Sequence, residues 1–264
     1  TDQARNRTKA ITRIASGLRF TCTLYKAGLG IPLNMAILPL FAIGSFLGSA
    51  TLDRWLALGA VPPYGLVTHF GAPVALLITL AALGLTGLAV VRWAGRSARL
   101  LDRKLLIGAI LLAALAALNL VIAGQPWGIV YGFGLWAAKL ASAVGVFNPA
   151  ANPFWNEPVN AMTLSQSIFL DVTSITNLGI LAGALWIAAG KVRSSSVASL
   201  TGTQWAVAMV AGFLLGYSSR LAFGCNIGAM VSGISTGSLH GWIWVPMAFL
   251  GSLLGVRVRR HFAF

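Results

Sequence analysis

Leu221-Ala222-Phe223-Gly224-Cys225-Asn226-Ile227-Gly228-Ala229 opens a run with no Asp, Glu, Lys or Arg before Arg257. A spanning helix needs about 20 mostly apolar residues, so this run is too long for one crossing. Its later part, near 241–257, reads as a full transmembrane helix. Its earlier part is interrupted by Gly224, Gly228, Gly233, Gly237 and Gly241, one every four or five residues. Glycines at that spacing let backbones approach closely, and packing alone accounts for them. Packing does not account for Cys225, Asn226, Ser232, Ser235, Thr236 and Ser238 at bilayer depth. The run is therefore read as a short re-entrant segment carrying a cysteine, followed by a helix.

The same unit occurs twice. Shifted by 203 residues, Leu18, Phe20 and Cys22 fall on Leu221, Phe223 and Cys225, and Gly30 falls on Gly233. Phe46-Leu47-Gly48-Ser49 falls on Phe249-Leu250-Gly251-Ser252 in the same register. The repeat units run from about 14 to 51 and from about 203 to 257. The second has a helix near 203–219 before its cysteine, whereas the first has only the polar stretch 1–17. One helix is therefore expected to be missing ahead of Thr1.

Further charge-free runs give helices near 33–51, 70–92, 104–124 and 168–190. The composition agrees: 57% of the 264 residues are hydrophobic and 9% are charged, with a mean hydropathy of +0.82. A soluble domain carries about a quarter charged residues, so this surface must face lipid. The expected fold is an all-α polytopic membrane protein forming a single transmembrane domain over 1–264. The net charge of +14 is not a nucleic-acid signature, because the basic residues cluster between apolar runs as cytoplasmic loops do. These clusters are Arg5 to Arg13, Arg92 to Lys104, Lys191 with Arg193, and Arg257 to Arg260. All fall on one side if 126–146 enters and leaves by the same face, so that stretch is read as re-entrant. Residues 95–104, 191–199 and the carboxy terminus are then cytoplasmic. The helix after Cys22 starts inside and the helix after Cys225 starts outside, which makes the repeats inverted, a plan that places sites near the midplane.

The candidate site is built on Cys22 and Cys225 with Gly224, Asn226, Gly228, Ser235, Thr236 and Ser238. A lone buried thiol is by default inert filler. Recurrence of Phe-x-Cys in both repeats, beside glycine-rich backbone, favours function. A thiol is a weak donor and a polarizable partner, suited to a sulfur-bearing substrate more than to a hard ion. Arg19 and Arg220 precede their cysteines by three and five residues and either draw anions to each mouth or snorkel to the interface. Asp171 is an intramembrane acid, functional by default, with pairing to Lys139 as the alternative. His240, beside Trp242 and Trp244, suits an interfacial aromatic belt or a site contact. Two cysteines so far apart make neither a zinc site nor a disulfide framework. No catalytic triad, P-loop, metal-ligand spacing or cofactor motif appears.

The stretch from Arg220 to Ala229, then Gly233-Ile234-Ser235-Thr236-Gly237-Ser238-Leu239-His240-Gly241-Trp242, resembles the carboxy-terminal signature of the YeeE/YedE family of sulfur-compound transporters. Asn119 to Gly128 and Asp171 to Asn177 resemble its YedE-like branch. The resemblance implies a bacterial inner-membrane permease, not an enzyme, that passes thiosulfate or a related sulfur anion by contacts with Cys22 and Cys225. Thiosulfate-transporting members have a further cysteine on the pathway, and this chain has two. The substrate class thus also includes selenium compounds. Two other readings stand beside the permease: a membrane sulfurtransferase working through a cysteine persulfide, and a membrane subunit docking a small cytoplasmic sulfur-carrier protein of the TusA type. The persulfide reading needs an accessible, low-pKa thiolate with a basic neighbour.

Overall fold

The computed structural model describes residues 27, 32–59, 61–94, 103–189 and 201–261. Their elements are α1 (Pro32–Ala50), α2 (Leu52–Leu56), α3 (Leu66–Ala94), α4 (Arg103–Ala123), α5 (Val130–Ala143), α6 (Pro158–Ser165) and α7 (Val172–Ala189). They continue with α8 (Gly202–Leu221), a π-helical turn (Asn226–Val231), α9 (Ser232–Ser235) and α10 (Leu239–His261). Six helical stretches among the described residues are long and apolar enough to cross a membrane. The chain is an all-α polytopic membrane protein, and each helix expected from the charge-free runs is present within a few residues of its limits. At 14 residues, α5 is about 21 Å long, short of the roughly 30 Å of a hydrocarbon core.

The described chain divides into two compact units. The first comprises residues 63–127 and 229–261, with α3, α4, α9 and α10. Here α3 breaks at Gly71, whose φ of 76° lies where a side chain is strained, and Pro73 follows with no N–H for the helical ladder. The starts of α3 and α10 are tied by two backbone bonds, Leu66 N–H to Gly237 O at 2.7 Å and Leu239 N–H to Tyr64 O at 3.0 Å. They satisfy donors that a helix start leaves open. None of the stretch Leu106–Ala123 is buried within the protein. Its leucines and isoleucines present an all-round apolar surface of the kind that contacts lipid.

The second unit, residues 27–62 and 128–228, holds α1, α2, α5, α6, α7 and α8. Its frame is the crossing of α1 on α8. A Cβ on Gly44 would overlap the Phe213 carbonyl, and one on Gly216 would overlap the Phe41 carbonyl. A Cβ on Gly212 would stand 2.5 Å from Ile37 Cγ2, and one on Gly48 2.8 Å from the Tyr217 carbonyl. Partners rise together along both helices, 37 with 212, 41 with 216 and 48 with 217, so α1 and α8 run parallel. Between lipid-solvated helices no hydrophobic force drives association, and close packing of this small-x-x-x-small kind must supply it.

Polar side chains then pin α5 against the pair. Ser45 Oγ donates to Val130 O at 2.9 Å, and Asn177 Nδ2 from α7 donates to Ile129 O at 2.9 Å. Trp136 Nε1 donates to Ser174 Oγ at 2.7 Å. Both α5 glycines are filled by neighbours: a Cβ on Gly132 would meet Asn177 Nδ2 at 2.9 Å and one on Gly134 Ser45 Oγ at 2.7 Å. Phe41 and Phe133 meet edge to face with centroids 5.5 Å apart, an arrangement favoured by the ring quadrupoles.

Overpacking of this kind costs about 1–3 kcal/mol. Gly44→Ala and Gly216→Ala are each expected to lower the melting temperature and the folded yield in detergent. Gly84→Ala, where a Cβ meets nothing within 4 Å, is expected to hold or raise both. Equal melting temperatures for all three would remove the crossing as the frame of this unit.

Candidate functional site

The carboxy end of α8 turns sharply into the cysteine. Ala222 N–H bonds Ser218 O at 2.9 Å, Phe223 N–H bonds Arg220 O at 3.2 Å and Gly224 N–H bonds Ser219 O at 2.8 Å. Closing these bonds places Phe223 at φ 53° and Gly224 at φ 147°. Glycine tolerates such a conformation freely, and for phenylalanine it costs of order 1–2 kcal/mol. The strain is retained because the α8 anchors determine the turn, as at many binding sites. Phe223 itself is exposed, and the chain then buries the thiol.

Cys225 is a free thiol with 3% of its surface exposed. The backbone N–H groups of Ile227 and Gly228 face its sulfur. Asn226, half-buried, takes the first position of the π-helical turn. Three of the other glycines are explained locally. Gly233 and Gly241 pack on each other, a Cβ on Gly241 coming 2.7 Å from Ile234 N, and Gly237 has φ 72°. Gly228 is different. A Cβ there meets nothing closer than Phe223 O at 3.9 Å, so packing among the described residues does not demand a glycine.

Cys225, Gly224, Asn226 and Gly228 belong to the second unit with Arg220 and Asp171, whereas Ser235, Thr236, Ser238 and His240 belong to the first. Cys22 and Arg19 lie outside the described residues. The hydroxyls of the first unit are committed to backbone: Ser235 Oγ donates to Ser232 O at 3.0 Å, and Thr236 Oγ1 to Ser232 O at 2.8 Å. A hydroxyl has one proton to donate, so these two offer lone pairs outward, not donors for an anion. Ser238 pairs with Gly65 through an isolated backbone bridge, and His240 is exposed in the first turn of α10.

Asp171 and Lys139 serve as helix caps. Asp171 Oδ2 accepts from Thr173 Oγ1 at 2.6 Å and Ser174 N–H at 2.7 Å, covering the start of α7, where a carboxylate also suits the helix dipole. Lys139 Nζ donates to the carbonyls of Leu164 and Gln166 at the end of α6, where a cation is favoured. Arg220 does not snorkel. Its Nε donates to Ser49 Oγ at 2.6 Å, and its guanidinium lies over Tyr131 and Phe154, 5.4 and 4.9 Å from the ring centroids. Ser49, Tyr131 and Phe154 were not legible as partners, being far from Arg220 in the chain. The one available signal was Ser45 and Ser49 spaced four apart in an apolar helix. No cluster of three or more potential metal ligands occurs among the described residues.

The chain is 28% identical over 138 residues to "Probable transporter YedE" of Escherichia coli (strain K12). It is 27% identical over 138 residues to the protein of that name from Salmonella typhimurium. Those stretches cover 52% of this chain and 33% of each relative, so the chain matches about a third of the relatives' length. No solved structure matches it significantly. Residues 20–254 match a family described as sulphur transport. A match of that extent, spanning the apolar helices and the buried cysteine turn, makes this chain a member of the YeeE/YedE family of sulphur transporters.

Proposed function

We propose that the chain is a permease for a small sulfur-containing anion of the thiosulfate class, with Cys225 contacting the anion's terminal sulfur. The observation that carries this reading is the Cys225 turn: a buried soft sulfur faced by backbone N–H groups, with room for a Cβ at Gly228. A thiol is a weak donor and a polarizable partner that suits a large, diffuse sulfur more than a compact, strongly hydrated ion. Cys22 is the equivalent contact from the other repeat. Asn226 is the side-chain amide nearest the thiol in the chain.

The parallel run of α1 and α8 supports the inner-membrane topology. Helices that cross in the same direction start from one face, which agrees with reading the basic groups at 5–13 and 191–193 as cytoplasmic by the positive-inside rule. The carboxy terminus, with Arg257 to Arg260, joins them. A TusA-type sulfur carrier would then meet the cargo on that side.

Uptake of labelled thiosulfate into proteoliposomes tests the reading. The parent protein is expected to give saturable uptake. Cys225→Ser is expected to lower the rate per folded molecule about tenfold, which corresponds to about 1.4 kcal/mol. Serine keeps a donor but replaces sulfur with a smaller, harder atom. Parental uptake by the serine variant would refute the thiol contact, and a persulfide on Cys225 found by mass spectrometry during turnover would favour sulfur transfer over permeation.

Gly228→Ala gives an independent check. Because a Cβ has room there, the melting temperature is expected to stay at the parental value while thiosulfate uptake falls. A fall in both together would return Gly228 to a packing role.

A further inference from the structure

Arg220 is held in place through one nitrogen only. Nε donates to the buried Ser49 hydroxyl, and the planar group stacks on Tyr131 and Phe154. No carboxylate and no other hydrogen-bond acceptor among the described residues meets its two terminal nitrogens. The Glu157 carboxylate accepts from Asn160 Nδ2 at 3.1 Å, and Asn160 Oδ1 accepts from the Tyr131 hydroxyl at 2.9 Å; neither bonds the guanidinium. The same aromatic group contains Trp155, which is fully buried with its indole N–H lacking an acceptor. Its ring centre lies 5.1 Å from that of Phe154 and 6.2 Å from that of Tyr131. A charge withdrawn from water without a counterion is costly, and the two rings offset only part of that cost. The cluster therefore holds donors, the terminal guanidinium N–H groups and the Trp155 N–H, that meet no acceptor among the described residues.

We propose that Arg220 is an oxyanion subsite, whose terminal guanidinium nitrogens bind two oxygens of a tetrahedral sulfur oxyanion, with the Trp155 N–H as a further donor. A planar fork of parallel N–H groups fits a pair of oxygens at tetrahedral spacing, a geometry that lysine cannot reproduce. This inference rests on the permease reading and deepens it. Cys225 selects for the sulfur-bearing end of the cargo, and Arg220 selects for the oxygen-bearing end. The subsite excludes neutral sulfur compounds, which offer the guanidinium no charge.

Sulfate is the probe, because it has the oxygens of the cargo and no terminal sulfur. Binding is read by thermal shift of the purified full chain in detergent, at constant ionic strength set with chloride. The parent protein is expected to show a saturable rise in melting temperature with sulfate and with thiosulfate. Arg220→Gln is expected to abolish it, Arg220→Lys to weaken the affinity tenfold or more, and Trp155→Phe to weaken it several-fold. Parental sulfate affinity in folded Arg220→Lys and Arg220→Gln would overturn the proposal. A shift with anionic phospholipid but none with sulfate would also overturn it, by assigning the guanidinium to a lipid headgroup. If neither arginine variant folds, folded Trp155→Phe decides, since phenylalanine keeps an aromatic ring and removes the N–H; unchanged sulfate affinity there is the refuting result. Sulfate bound through Arg220 without thiosulfate transport would refute the permease and leave the subsite standing. Transport with no effect of the Arg220 variants on affinity would do the reverse.

Discussion

The carbonyl-to-glycine contact between α1 and α8 is the constraint on which the second unit depends. Gly44 and Gly48 on one helix, with Gly212 and Gly216 on the other, let backbone meet backbone where any side chain would intrude. Everything near the cysteine follows from that approach. Arg220 passes over Gly48, since a Cβ there would come 2.9 Å from Arg220 Cβ, and only this clearance lets its Nε reach Ser49. The backbone of Ser218, Ser219 and Arg220, held against α1, provides the carbonyls that close the Phe223-Gly224 turn. Burial of Cys225 is thus a consequence of helix packing one turn earlier in the chain.

The distribution of donors gives the site its chemistry. Ser235 and Thr236, which have the composition of an anion path, direct their protons into their own helical turn. Asp171 is occupied by two donors at the start of α7, and Lys139 is held by two carbonyls. What remains to meet an anion in the second unit is a thiol and a guanidinium. These groups divide naturally between a soft sulfur and hard oxygens, the two ends of a thiosulfate-like anion.

Membrane helices were legible because length and hydropathy determine them locally: each apolar run is its own evidence of a helix. The Phe46-Leu47-Gly48-Ser49 block of the repeat contains two residues that the structure uses, Gly48 under Arg220 and Ser49 on its Nε. Their purpose was not legible, because the partner lies 171 residues away and no local pattern encodes a contact across that distance. For the same reason Arg220 read either as an arginine drawing anions to a mouth or as one snorkelling to the interface, and Asp171 as a functional intramembrane acid or a partner of Lys139, although Thr173 and Ser174 follow it in a capping pattern. The glycine series from 224 to 241 read as one packing stripe. It divides into a left-handed turn at Gly224 and Gly237, close approach at Gly233 and Gly241, and open space at Gly228. Period alone cannot separate those three roles, because each requires only the absence of a side chain.

A disulfide across α1 and α8 tests the parallel crossing most directly. A Cβ on Gly212 would stand 3.4 Å from Ile37 Cβ, close to the separation of about 3.5–4.5 Å that a disulfide bridges. In a background with Cys22 and Cys225 replaced, the pair Ile37→Cys with Gly212→Cys is expected to cross-link in native membranes under mild oxidation. The pair Ile37→Cys with Arg220→Cys, which only an antiparallel arrangement would bring together, is expected to stay reduced. Cross-linking of the second pair and not the first would contradict the account.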